Sequence, residues 1–260
     1  MSSHNGRKIN QLLKGWPKET AVTKTHLDKL GIYRQLVAKY VHYNWVERLG
    51  TGAYTRSGDT VNWRGGVYAL QSQLDMTIHV GGQTALGLQG RSHFIPLGPH
   101  KKVILISDRP EHLPAWFRKH QWGVTLEHRC FSLFEKVPGN VATELNCGGF
   151  EILMSSAEQA IMEQMRLVNT NDDIMHVYQL MEGLGTLRPA VVQNLLENCR
   201  SIKVKRLFLW NAEESGHAWF ARLDTTRVDL GTGKRQLYKG GSLNEKYQIT
   251  VPRKEELQNV

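Results

Sequence analysis

Apolar residues recur at helical spacing near the start of the chain. From Lys8 to Trp16 they occupy positions i, i+3, i+4 and i+7, which places them on one face of a helix. Pro17 ends this segment because proline has no amide hydrogen to continue the helical hydrogen bonds. A second amphipathic segment begins at Thr23, a residue type that caps helices well, and ends at Leu30. The pattern predicts two helices here.

A third helix is predicted from Tyr33 to Tyr43, directly after Gly31, a residue that can adopt the left-handed conformation of a helix end. One face of this helix is apolar and the other is polar and basic. The apolar stripe consists of Leu36, Val37, Tyr40 and Val41. Two short helices around a glycine turn, the second with a polar outer face, are typical of a helix-turn-helix.

The residues that follow predict a β-hairpin. Trp45 to Leu49 can form a strand, Gly50-Thr51-Gly52 a tight turn, and Ala53 to Arg56 the returning strand. A helix-turn-helix followed at once by a hairpin is a winged helix, so we predict this fold for the amino-terminal part.

The remaining sequence mixes both periodicities. Helical patterns cover residues 65–74, 79–90, 112–120 and three segments between 157 and 196, while apolar runs predict strands at 102–107, 124–133, 147–154 and 205–210. Ser155 and Glu158 have the spacing of a capping box. Two prolines and a glycine at 96–100 favour a boundary. We expect a mixed α/β protein: a winged helix-turn-helix with connecting helices in residues 1–95, then a larger mixed α/β domain in residues 96–260.

Positive charge is concentrated at the amino-terminal end. The whole chain has 33 Lys and Arg against 24 Asp and Glu, a net charge of +9. Residues 1–100 contain 12 basic and 5 acidic residues, whereas residues 101–260 contain 21 and 19. A concentrated positive field attracts phosphate, although basic patches also solubilise proteins or meet anionic lipid.

Charge and the predicted winged helix together favour DNA binding over its alternative, a protein-docking role for the same fold. The third helix can enter the major groove, and the wing can reach the neighbouring backbone or minor groove. The candidate groove contacts are Lys24, Thr25, Arg34, Gln35, Lys39 and His42, and the candidate wing contacts are Tyr54 and Arg56.

Motifs for catalysis are incomplete. Gly231-Thr232-Gly233-Lys234-Arg235 lacks the earlier glycine and the Ser or Thr of a phosphate-binding loop. Gly240-Gly241-Ser242 resembles the start of a nucleotidyltransferase motif, but no paired aspartates follow. Gly81-Gly82 can open an anion-binding helix, yet close packing explains it better. The histidines and the three cysteines show no metal-ligand spacing. We therefore predict no catalytic residues, no metal and no cofactor.

Basic residues also recur towards the carboxyl end. They form either a second contact surface or the solvated face of a core element. The candidates are Lys203, Lys205, Arg206, Lys234, Arg235 and Lys239. The sequence has no apolar run long enough to span a membrane and no secretory signal pattern, so we expect a cytoplasmic protein.

Several blocks of the sequence resemble AbiEi-type antitoxins, over nearly the whole chain. They are Gly65 to Leu70, Ile78 to Leu86, Phe94 to Gly98, Val204 to Leu209, His217 to Phe220, Leu230 to Gln236 and Tyr247 to Pro252. The resemblance implies a bacterial type IV toxin–antitoxin or abortive-infection antitoxin. Its winged helix would bind inverted repeats in its own promoter and repress the operon. Its carboxy-terminal domain would neutralise a nucleotidyltransferase-like toxin, which is the cognate partner.

Two alternatives stay open at this point. One is a winged-helix regulator that responds to a small ligand and has no toxin. The other is a nucleic-acid-modifying enzyme whose site is assembled from distant residues. Inverted repeats would also bring two copies together, so a dimer on DNA is an expectation.

Overall fold

The structure is a computed structural model that describes residues 2–91, 102–136 and 142–257, with side chains from residue 8 onward. The described α-helices are α1 (Ser2–Gly15), α2 (Lys24–Lys29), α3 (Arg34–His42), α4 (Trp63–Leu74), α5 (Gly82–Leu88), α6 (Ala115–Lys119), α7 (Ala157–Leu167), α8 (Asn171–Glu182), α9 (Pro189–Asn198), α10 (Ile202–Glu214) and α11 (Lys254–Leu257). The described strands are β1 (Val22–Thr23), β2 (Val46–Gly50), β3 (Ala53–Arg56), β4 (His79–Val80), β5 (Lys102–Ser107), β6 (Thr125–Cys130), β7 (Ala142–Asn146), β8 (Glu151–Ser155), β9 (Ser242–Asn244) and β10 (Ile249–Val251). The expectation of a mixed α/β protein is confirmed.

The chain divides into two compact units, neither of which is one continuous stretch. The first contains Met1–His79, Leu97–Phe131 and Glu144–Leu153, and the second contains Val80–Pro96, Ser132–Thr143 and Met154–Val260. The expected boundary at residues 96–100 lies outside the described residues. A division of the chain at residues 95 and 96 therefore stays a prediction.

The first unit begins with the arrangement α1-β1-α2-α3-β2-β3. The three strands form an antiparallel sheet in the order β1-β3-β2, with Thr23 opposite Ala53 and Arg48 opposite Tyr54. The core of this part is formed by one cluster of buried residues from all three helices and all three strands, including Ile9, Leu12, Trp16, Val22, Leu27, Ile32, Leu36, Val37, Tyr40, Val46 and Tyr54. This is the predicted winged helix, and α1 begins six residues before the predicted start.

Helix α4 is fixed to the winged helix through its polar and small residues. The Gln73 side chain accepts from the amide of Thr23 (2.8 Å) and donates to the carbonyl of Ala21 (2.9 Å). Gly65 lies so close to the chain at residues 19–20 that an added Cβ would be 1.9 Å from the carbonyl oxygen of Glu19. The remainder of the first unit contains the parallel pair β5 and β6, with α6 between them in sequence.

The second unit is mainly helical, and α7 is its central helix. It packs against α5, α8, α9 and α10. The antiparallel pair β9 and β10 follows near the end of the chain. Val80 of β4 and Met154 of β8, which both belong to this unit, are partners in a parallel pairing.

Two local predictions for the second unit are wrong. Residues 205–210 lie within α10 and do not form the predicted strand. The prediction failed because a short apolar run looks the same in the sequence of a buried helix and of a buried strand. The capping residue of α7 is Ser156, whose hydroxyl accepts from the amide of Gln159, rather than Ser155. Ser155 instead donates to the carboxylate of Glu163 (2.7 Å).

Candidate nucleic-acid interface

The turn between α2 and α3 is held by local hydrogen bonds. The hydroxyl of Thr23 accepts from the amide of His26 (3.2 Å), which caps the start of α2 as predicted. Gly31 has φ of +68°, a left-handed conformation that favours glycine, and the amide of Ile32 returns to the carbonyl of Leu27 (2.9 Å). These contacts fix the direction in which α3 leaves the turn.

Helix α3 has one buried and one exposed face. Leu36, Val37 and Tyr40 are buried in the core of the winged helix. The exposed face carries four of the predicted groove contacts, namely Arg34, Gln35, Lys39 and His42. Among the residues that the structure describes, no carboxylate pairs with the side chains of Arg34 and Lys39. Their charges are therefore available to a partner.

The two candidates on α2 are placed differently from each other. Thr25 is exposed, whereas Lys24 is half-buried and its ammonium group pairs with the carboxylate of Asp28 one turn later. The backbone amide of Lys24 donates to the carbonyl of Gly52 in the wing turn (2.8 Å). This bond ties the wing to the start of α2.

The wing differs from the sequence prediction at both nominated residues. The Tyr54 side chain is packed in the core, with 7% of the residue exposed. Arg56 is half-buried, donates to the carbonyls of Leu13 and Trp16 at the end of α1, and lies 5.6 Å from the centroid of the Trp16 ring. A cation at a helix carboxyl end is stabilised by the unpaired carbonyls there, so Arg56 has a structural role.

Arg48 is the cation that the wing exposes. It lies on β2, opposite Tyr54, and its guanidinium carbon is 5.9 Å from the centroid of the Tyr54 ring. Arg48 is not among the predicted wing contacts. It lies one residue before the predicted strand ends at Leu49, and this position next to the predicted turn was the available signal, because charged residues near a hairpin turn are commonly exposed.

Few acidic groups oppose the positive charge of this part of the chain. Residues 1–56 contain ten Lys and Arg and three acidic residues, Glu19, Asp28 and Glu47. Asp28 is paired with Lys24. Hydrogen bonds from the Ser57 hydroxyl (2.7 Å) and the Gly58 amide (3.0 Å) hold the pKa of the Glu47 carboxyl below its usual value. The exposed face of α3 itself has no acidic residue, which favours contact with phosphate.

Exposed aromatic side chains flank α3 at both ends. Tyr33 precedes the helix and is 56% exposed, while Tyr43 and Trp45 follow it and are 61% and 41% exposed. The rings of Tyr43 and Trp45 lie 5.8 Å apart between centroids. These residues extend the accessible surface beyond the cationic face.

The basic residues nominated near the carboxyl end separate into exposed and structural groups. Lys234, Arg235 and Lys239 are exposed. Lys203 is half-buried, and its ammonium group donates to the carbonyl of Val168. Lys203 is therefore only a partial candidate for a contact surface.

Two of these nominations are wrong, because Lys205 and Arg206 are 5% and 1% exposed. Their positions on α10 face the interior of the second unit. The guanidinium group of Arg206 donates to four carbonyl oxygens: those of Leu230 (2.7 Å), Gly231 (3.2 Å), Gly233 (2.6 Å) and Gln248 (3.1 Å). It organises the Gly231–Gly233 loop and is unavailable to a partner.

The start of α5 already holds an anion that the chain supplies. The carboxylate of Glu163 accepts from the amide of Gly82 (3.1 Å), and the Gln164 side chain accepts from the amide of Gln83 (3.0 Å). In the described ranges no group of His, Cys, Asp and Glu side chains is arranged to hold a metal ion. None of the helices described combines the length and apolar character that crossing a membrane requires.

Comparison with solved structures shows a similar fold. The crystal structure of RV2827C protein from Mycobacterium tuberculosis matches with a TM-score of 0.56, and the match covers 98% of this chain and 93% of that chain. Sequence identity is 12%, so this likeness concerns the fold alone. No curated protein matches the chain.

Two family models cover almost the entire sequence. A model described as the AbiEi antitoxin N-terminal domain of a transcriptional regulator matches residues 5–97. A second, described as a transcriptional regulator, AbiEi antitoxin of a type IV toxin–antitoxin system, matches residues 100–252. These matches confirm the resemblance inferred from the sequence blocks. The chain belongs to the AbiEi antitoxin family of transcriptional regulators of type IV toxin–antitoxin systems.

Proposed function

We propose that this protein represses its own operon by binding double-stranded DNA in the cytoplasm and that it neutralises a toxin encoded alongside. The observation that carries the DNA-binding part is the exposed face of α3. It presents Arg34, Gln35 and Lys39 from a winged helix, and no described acidic residue pairs with the two cations.

The side chains on this face suit the edges of base pairs. Arginine donates two hydrogen bonds to guanine, and glutamine pairs in a similar way with adenine, so Arg34 and Gln35 are the proposed base-reading residues. Lys39, His42 and Thr25 would contact the groove or its flanking phosphates, and Lys24 contributes less because it is paired with Asp28. Arg48 replaces Tyr54 and Arg56 as the proposed wing contact, because its side chain is exposed. Tyr54 is buried in the core, and Arg56 donates to backbone carbonyls of the protein.

The experiment measures binding of the full chain to its promoter by fluorescence anisotropy at several salt concentrations. Arg34→Ala with Lys39→Ala should weaken promoter binding at least about tenfold, because two contacts with DNA are lost, and should flatten the salt dependence. Preference for promoter over unrelated DNA should fall as well.

Lys14→Ala with Lys18→Ala is the matched control. Both lysines are exposed in the first unit but lie outside α3, and the variant loses the same number of charges. It should keep the preference for the promoter. If the two double variants lose affinity and preference equally, the assigned face is incorrect.

We further propose that the operator is an inverted repeat occupied by two copies of the chain. A two-fold repeat in DNA is matched by a two-fold arrangement of the protein, with half-sites about one helical turn or a multiple of it apart. Binding to a single half-site should be weaker than binding to the full repeat. Sedimentation of the complex on each DNA gives the number of copies bound.

Toxin neutralisation is assigned to the second unit, with a nucleotidyltransferase-like toxin as the proposed partner. The exposed cations Lys234, Arg235 and Lys239 are the residues proposed for this role. No catalytic step is proposed for this chain. Growth of cells that express the neighbouring toxin, with and without this protein, tests the assignment directly, and unrelieved growth arrest would contradict it.

A further inference from the structure

The first unit contains a cavity of about 440 Å³ on the side of β6 that faces α6 and the chain before it. This volume lies within the range of about 300–1,000 Å³ that is usual for small-molecule sites. Its walls are formed by Glu111, His112, Leu113, Phe117, Arg118, Leu126 and His128. The cavity is separate from the exposed face of α3.

The one carboxylate in the wall is already satisfied by the protein. Both oxygens of Glu111 accept from the amide of Thr77, at 2.9 and 3.1 Å, and one also accepts from Nε of Arg109 (3.2 Å). The Glu111 side chain is 10% exposed. It therefore has little remaining capacity to attract a cationic ligand.

Hydrogen-bond donors in the wall are less fully used. Arg118 is exposed, and its Nε donates to the carbonyl of Leu113 (3.1 Å). The two terminal nitrogens of its guanidinium group are left to donate to a ligand. His128 bonds through Nε2 to the hydroxyl of Ser107 (2.9 Å), so that Nδ1 remains. Burial lowers the pKa of His128, while the nearby Glu111 acts in the opposite direction.

Two leucines supply the accessible apolar part of the wall. Leu113 and Leu126 are half-buried, whereas Phe117 is fully buried, and His112 adds an exposed imidazole. A ligand that matches this lining has a negatively charged group for Arg118 and an apolar body for Leu113 and Leu126. Within the described chain, the His and Glu side chains here do not form a metal-ion cluster.

We propose that this cavity binds a small organic carboxylate with an apolar body, held by Arg118 against the surface of Leu113 and Leu126. The site would make the protein responsive to a metabolite in addition to DNA and toxin. The assignment depends only on the cavity and does not require the proposed DNA-binding function.

Isothermal titration calorimetry of the full chain with 3-phenylpropionate tests this proposal. We expect saturable binding with one site per chain. The uncharged analogue 3-phenylpropionamide, which has the same body, should bind at least about tenfold more weakly because a charge-assisted hydrogen bond is lost. Arg118→Gln should reduce carboxylate binding by a similar factor.

Arg129→Gln is the control, because Arg129 is an exposed arginine on β6 that pairs with Glu127 and does not line the cavity. It should leave binding unchanged. Leu126→Trp, which fills the cavity, should abolish binding while the melting temperature shows that the chain is folded. The proposal is overturned if 3-phenylpropionate gives no saturable binding, if the amide binds equally well, or if Arg118→Gln has no effect. Loss of promoter binding by the α3 variants would leave these results unaffected.

Discussion

Arginine side chains in this protein have two different roles that their sequence context does not distinguish. Arg56 and Arg206 donate to backbone carbonyls and are removed from solvent to different degrees. Arg34 and Arg48 are exposed. A basic residue in sequence indicates charge but not direction, since direction depends on helix phase and on the loops that pack nearby. This is why the nomination of Arg34 agrees with its exposure, while those of Arg56 and Arg206 do not.

Replacement of Arg206 should show its structural role. Arg206→Lys retains the charge but cannot reach four carbonyl oxygens, and each buried acceptor left unpaired costs about 1–3 kcal/mol. We expect the free energy of unfolding to fall by about 3 kcal/mol or more. Arg235→Lys, at an exposed position, should change it by less than about 0.5 kcal/mol. Urea unfolding followed by circular dichroism measures both, and equal small effects would contradict the assigned role.

An ion pair between the buried carboxylate of Glu158 and the exposed guanidinium group of Arg188 gives the second unit a specific dependence on pH. Burial would raise the pKa of Glu158, but hydrogen bonds from the Arg188 side chain and backbone outweigh it and lower the pKa to about 2. The carboxylate accepts from Arg188 Nε (2.9 Å), Nη2 (2.9 Å) and the backbone amide (3.0 Å). Because the folded pKa lies below the unfolded one, the stabilisation is complete above about pH 5 and is lost as the pH falls towards 2.

Glu158→Gln should remove this contribution. At neutral pH the free energy of unfolding should fall by about 2–3 kcal/mol, and the difference from the unmodified protein should shrink as the pH is lowered through this range. Glu182→Gln, an exposed carboxyl on α8, should retain the original pH dependence. Unfolding curves across the range provide the measurement. A constant difference at every pH would show that the carboxylate charge is not the cause.

Elements with one buried face were the easiest to predict from sequence. Helix α3 begins and ends within a residue of the predicted bounds, because its apolar stripe is interrupted at regular helical spacing. Helix α10 is buried on most sides, so Val204 to Ala212 shows no regular alternation of apolar and polar residues at helical spacing. Part of this segment was therefore predicted as a strand. For the same reason, the four candidate groove contacts on α3 (Arg34, Gln35, Lys39 and His42) are exposed as expected, while two basic residues of α10 are not.

Close approach of α4 to the winged helix makes Gly65 difficult to replace. Alanine usually stabilises a helix by about 1 kcal/mol relative to glycine. At Gly65 its Cβ would lie 1.9 Å from the Glu19 carbonyl oxygen and 3.0 Å from the Thr20 Cα, so the backbone must move. We expect Gly65→Ala to lower the melting temperature. Gly15→Ala, on α1 with no atom within 4 Å of the added Cβ, should leave it unchanged or raise it. Stabilisation of both variants would contradict the packing argument.

At the scale of the whole molecule, the distribution of charge can be read from the sequence, but the composition of the compact units cannot. Most of the net positive charge lies in residues 1–56, as a count of charged residues along the sequence shows directly. The first compact unit also takes in Leu97–Phe131 and Glu144–Leu153, distant segments whose association no local pattern indicates. Assembly of distant segments depends on long-range packing, and single-sequence periodicity does not report it.

The positive α3 face belongs to the first compact unit and the cations Lys234, Arg235 and Lys239 belong to the second, so we predict that the two proposed functions can be lost independently. Arg34→Ala with Lys39→Ala should raise expression from a promoter reporter at least about tenfold, since phosphate and base contacts are lost. The same variant should still relieve toxin-induced growth arrest. Lys234→Glu, Arg235→Glu and Lys239→Glu together should have the reverse effect, keeping promoter affinity while losing relief. Reporter activity, growth and the amount of protein are measured in the same cells. If the α3 variant also fails to relieve arrest at a normal protein level, the two functions share a surface and the proposed division is incorrect.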